Sequence, residues 1–147
     1  MGKIGSGLLA GAAATAVLSM LMAGKSMMGI MPELDLPAMI SGMMGSPGNP
    51  VVGWGVHAMI GVVGYGLAIA LMDHLFPSRS PVLHGVLLGL GGWAMMMAAL
   101  MPMAGAGFFG MSLGMTAPMM TLVLHVIFGA VLGAVFGISR PAAEIAA

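Results

Sequence analysis

Residues 51–75 read VVGWGVHAMIGVVGYGLAIALMDHL, and no Lys, Arg, Glu or Asp interrupts them before Asp73. About 20 apolar residues of helix cross the hydrocarbon of a bilayer, and this run is long enough to do so. Runs of the same kind cover residues 5–31, 81–101 and 116–138. The expected fold is therefore all-α, a four-helix transmembrane bundle forming a single integral membrane domain over residues 1–147. Composition agrees, because 60% of the chain is hydrophobic and 5% charged, against roughly 25% charged in soluble domains.

Charge sets the expected orientation. The basic residues are Lys3, Lys25, Arg79 and Arg140, and the acids are Glu33, Asp35, Asp73 and Glu144. If all four runs span, Lys3, Arg79 and Arg140 share one side, and the positive-inside rule makes it the cytoplasmic one. Lys25 dissents, but it lies near the outer end of the first span and its long side chain can snorkel to the headgroups. A net charge of zero argues against nucleic acid as a partner. With no Cys in the chain, disulfides, thiolate metal sites and thiol catalysis are excluded. The opening Met1-Gly2-Lys3 before an apolar stretch imitates a secretory signal. The stretch outruns a normal signal core and no convincing A-x-A site follows, so it is read as a retained span.

The chain repeats itself. Gly7-Leu8-Leu9-Ala10-Gly11 in the first span answers Gly85-Val86-Leu87-Leu88-Gly89 in the third, and the pairs Met31-Pro32 and Met101-Pro102 close the two segments. The spacing P-x6-H-x3-G occurs at Pro50, His57 and Gly61, and again at Pro118, His125 and Gly129. A hairpin of two spans repeated in tandem keeps its orientation, which relates the halves by a pseudo-two-fold axis along the membrane normal. His57 and His125 are then expected at one depth, facing each other. Each span also carries a stripe of small residues, a pattern that lets helix backbones approach in lipid. At 3.6 residues per turn the two histidines lie on those stripes and face the bundle interior.

The link between the first two spans is long enough for structure of its own. Asp35 is placed to cap a short helix over residues 35–45 with Pro37 in its first turn, and Ala38, Met39, Ile40, Met43 and Met44 give it an apolar, interfacial face. The corresponding link, residues 102–117, is uncharged and rich in Gly, with Phe108 and Phe109 as interface anchors.

MPELDLPAM at 31–39, Gly-Trp-Gly-Val-His at 53–57, MPMAGAGFFG at 101–110 and the stretch 121–137 together resemble an uncharacterised family of small four-helix bacterial integral membrane proteins, a domain of unknown function. The resemblance covers most of the chain. It implies a membrane fold and a place in the bacterial inner membrane, and no activity or site.

Ionisable residues within spans are costly, so each is a functional candidate by default. Asp73, His74, Arg79 and His84 gather near the cytoplasmic ends of the second and third spans, where the plain reading is interfacial charges that fix topology. His57 and His125 lie about 10 Å inside the outer boundary, with Glu33, Asp35 and Lys25 above them. They are read either as structural contacts, each donating to a backbone carbonyl, or as a site. As a site, His57 and His125 can ligate a b-type haem, hold copper or another transition metal together with Glu33, Asp35 or Met thioethers, or relay protons. Most of the twenty Met residues fall in the outer third or the outer links. Soft thioethers suit Cu(I), but Met is also an adaptable apolar filler, and the run Met95-Met96-Met97 points several ways around its helix. Trp54, Trp93 and Tyr65 read as packing or interface residues. No nucleophile triad, P-loop, dinucleotide fingerprint or carboxylate-rich di-metal motif occurs, so the chain is not expected to be an enzyme.

Two functions of different class remain. The first is a non-catalytic binding or accessory protein, with a metal or haem site at His57 and His125 or a role in a larger membrane complex. The second is a small transporter or channel, as a homo-oligomer, for protons or a metal ion. Neither the second span beyond Gly61 nor the fourth beyond Val126 offers an ionisable group before its cytoplasmic end, which favours binding over conduction.

Overall fold

The computed structural model describes residues 2–77 and 79–140. Met1, Ser78 and the tail from Pro141, with Glu144, lie outside the described residues. Four long apolar helices form two hairpins: α1 (Lys3–Met27) with α3 (Pro50–Leu75), and α4 (Pro81–Met103) with α5 (Thr116–Ser139). A short helix, α2 (Leu36–Met43), joins α1 to α3, and a 3-10 turn, Phe108–Leu113, lies between α4 and α5. The chain reads as an integral membrane protein, since each long helix has the length and hydropathy to cross a bilayer.

The helix starts follow from local chemistry. Asp35 accepts from the Ala38 amide at the head of α2, with Pro37 in the first turn. Asn49 caps α3 ahead of Pro50, and Ser80 caps α4 ahead of Pro81. Each side chain satisfies amides that the first turn leaves free, and each proline supplies a fixed φ where no amide is needed. The first span ends at Met27, short of residue 31, because Gly29 and Met31 turn to positive φ. Pro102, by contrast, sits inside the last turn of α4, so the two Met-Pro pairs are not equivalent in structure.

Within each hairpin the backbones meet at glycine. A Cβ on Gly7 would collide with the Gly66 carbonyl, and one on Gly85 with the carbonyl of Gly129. This contact is what small-residue stripes make possible where lipid removes any hydrophobic drive between helices. Two π-helical turns, Ile60–Gly64 in α3 and Met96–Leu100 in α4, interrupt the α-helical pattern. A π-turn bonds i to i+5 and so takes up one extra residue. Accordingly Gly66 follows His57 by nine positions where Gly133 follows His125 by eight, and both glycines pack against the partner of their hairpin.

The halves depart from two-fold symmetry where they meet. Helix α1 lies closely against α5 through Ala10, Ala14, Leu18, Phe128, Leu132 and Phe136, a buried apolar core shared with Ile69 and Ala70. The equivalent pair, α3 and α4, meets along Tyr65–Leu75. There the repeat places Leu88 and Gly92 where α1 has Ala10 and Ala14, and the Tyr65 hydroxyl rests directly on Gly92. This phenol, which also stacks edge-on with Phe128 at 4.8 Å, props the two helices apart.

Candidate functional site

Beyond that prop, in the half of the bundle away from the termini, α3 and α4 enclose a cavity of about 320 Å³. His57 of α3 and His125 of α5 both line it, with Tyr65 and Thr15 the other polar residues on its wall. Leu36, Ile40 and Met43 of α2 close its far end, and Ile60, Met95, Met96, Leu100 and Met103 form its flanks. Helix α2 is held over α3 by the close seat of Gly53 on Pro37. Both π-helical turns border the cavity, and such turns are frequent at functional sites. Ile60, Met95 and Met103 are also exposed on the outside of the bundle, so the α3–α4 side of the cavity faces lipid.

The two imidazoles differ in their surroundings. His57 is 7% exposed, its ring stands edge-on to Trp54 at 5.7 Å, and its Nε2 is buried with no hydrogen-bond partner. Buried polar atoms are almost always partnered, so this orphan nitrogen needs an explanation. His125 is partly exposed, with Nδ1 2.8 Å from the backbone carbonyl of Thr121. A carbonyl only accepts, so Nδ1 carries the proton, and in the neutral ring the lone pair lies on Nε2. The repeat thus delivers two histidines to one cavity, one orphaned and one with its tautomer fixed.

The carboxylates expected beside them are elsewhere. Glu33 and Asp35 are exposed; Asp35 is used as the cap of α2, and neither lines the cavity. Lys25 does not run out to the headgroups but bonds the carbonyls of Ile30, Met31 and Leu34 at 3.1, 2.8 and 2.9 Å. Its ammonium organises the turn that carries Glu33. Among the described residues no group of three or more His, Asp or Glu is placed to hold a metal ion. The additional soft donors at the cavity are thioethers, from Met43, Met95, Met96 and Met103.

At the other end of the bundle His74 and Arg79 are exposed, whereas Asp73 and His84, read together with them as interfacial, are packed inside the protein at 2% and 0% exposure. Asp73 pairs with Arg140 at 2.9 Å and Lys3 at 3.3 Å, so both ends of the described chain gather on α3. His84 lies within electrostatic reach of Asp73, with both ring nitrogens buried and unpartnered. The signal was present in the sequence. Asp73 continues the buried face of Gly66, Ile69 and Ala70, and His84 adjoins Gly85 on the close-packed face of α4.

Comparison with curated proteins and with solved structures returns no match. The model of a family of unknown function, DUF6789, matches residues 1–146, and the chain belongs to that family.

Proposed function

We propose that the protein is a non-catalytic binding protein of the bacterial inner membrane, with both termini cytoplasmic, that holds a ligand between His57 and His125. One observation carries the reading: His57, whose Nε2 is buried without a partner, and His125 line one and the same cavity. Cavities of this size and apolar character with a few convergent polar groups are the usual form of small-ligand sites. The orientation rests on Lys3, Arg79 and Arg140 lying toward one end.

The conducting alternative has less support. Between the histidine pair and the Asp73 cluster lies the apolar core of Ile69, Ala70, Leu132 and Phe136, which offers no polar step for a proton or ion. With little mass outside its four spans and with Leu67, Leu71, Val123 and Ile127 exposed on its flanks, the protein is suited to act alone in lipid, as a homo-oligomer, or beside helices of a membrane complex.

The test is to purify the protein in mild detergent and analyse what accompanies it, by visible absorbance for haem, elemental analysis for Cu, Zn and Fe, and mass spectrometry of the organic extract. The expected result is one stoichiometric ligand that is lost in both His57→Ala and His125→Ala. A folded wild-type preparation free of haem, metal and organic ligand, and unresponsive to adding any of them, overturns the reading.

A further inference from the structure

The polar groups of the cavity wall also define what kind of molecule belongs there, an inference that rests on the binding role proposed above. We infer that the cavity takes a neutral, lipid-soluble molecule bearing a hydroxyl group, of the phenol or quinol type, which comes in from the bilayer between α3 and α4.

Size speaks first: about 320 Å³ is the scale of a small organic ligand. Charge speaks next: among the described residues no Asp, Glu, Lys or Arg lines the cavity, so an ionised ligand would lose its hydration without gaining a counter-charge. The polar groups then select among neutral molecules. With Nδ1 donating to the Thr121 carbonyl, the neutral His125 ring offers an acceptor at Nε2, and an acceptor is satisfied only by a ligand that donates. Thr15 already donates its hydroxyl proton to the Gly11 carbonyl at 2.7 Å, so it too has only acceptor capacity left. Tyr65, also on the wall, can complete the set by donating its hydroxyl proton to the ligand's oxygen. A hydroxyl, which donates once and accepts, satisfies both the His125 acceptor and the Tyr65 donor; a bare hydrocarbon satisfies neither. Both π-helical turns and Tyr65 border the site, and Ile60, Met95 and Met103 line its lipid-facing side with apolar surface.

The experiment uses full-length protein in lipid nanodiscs with 2-naphthol and naphthalene as a matched pair, read by quenching of Trp fluorescence and corrected with empty discs. Wild type is expected to bind 2-naphthol about tenfold more tightly than naphthalene, the scale of one well-made hydrogen bond. His125→Phe should lose that preference while still binding naphthalene, which shows that the cavity persists. Ala99→Trp, which fills the cavity, should bind neither. Equal affinity for the two probes, or a preference that survives in His125→Phe, overturns the hydroxyl class. Stoichiometric Cu(I) that needs both histidines and excludes 2-naphthol overturns it too, while leaving the binding role intact. Failure of 2-naphthol, naphthalene and Cu(I) alike removes both.

Discussion

Arg140 donates to the Asp73 carboxylate at 2.9 Å, tying the end of α5 to the last turn of α3 at a point where Asp73 is almost wholly buried. Lys3 joins from the first turn of α1 at 3.3 Å. One carboxylate therefore fastens three helices of the bundle. Asp73→Asn should lower stability by roughly 2–3 kcal/mol, somewhat less than a fully buried pair because both cations keep some contact with solvent. Thermal unfolding in detergent measures this, and an unchanged midpoint would remove the clasp from the account.

The glycine contacts predict a sharp contrast along one helix. Gly85→Ala places a methyl against the Gly129 carbonyl and should cost about 1–3 kcal/mol, the usual range for overpacking. Gly91→Ala, whose methyl would meet nothing, should leave the melting temperature unchanged or slightly raised. Equal effects at the two positions would mean that α4 and α5 do not meet on this face.

Lys25 is expected to act on the link rather than on the bundle. Lys25→Met frees the carbonyls of Ile30, Met31 and Leu34, so hydrogen exchange should rise across residues 28–36 with little change in global stability. Unaltered exchange there would show that the ammonium does not hold the turn.

Orientation can be tested cleanly because the chain has no Cys of its own. A membrane-impermeant maleimide should label Glu33→Cys in intact cells and Arg79→Cys only after lysis, both positions being exposed. The reverse pattern would invert the topology and move the histidine pair to the cytoplasmic half.

Much of this architecture was legible because membrane helices announce themselves by length and apolarity, and because the repeat placed Pro50 and His57 in step with Pro118 and His125. The interior phase of the histidines followed from the small-residue stripe. Other features had no local signal. Neither π-helical turn is marked by a Pro, and the contact of the Tyr65 hydroxyl with Gly92 beside the cavity joins residues far apart in the chain. Glu33 and Asp35 were expected near the histidines from depth alone. A cap and a lysine-bound turn set their direction instead, and depth carries no information about that. Asp73 and His84 were read as interfacial because they stand near helix ends, although their register with Ile69 and Gly85 pointed inward.

The central claim is that His57 and His125 are one site, and a double-mutant cycle on ligand-induced thermal stabilisation tests it most directly. Wild type, His57→Ala, His125→Ala and the double variant are melted with and without the ligand identified from the purified protein. The account predicts that either single replacement removes most of the stabilisation and that the double replacement removes little more, since groups that act together are not additive. Two small, additive losses of stability, with the ligand's effect intact in each single variant, would contradict it and leave the histidines as separate packing residues.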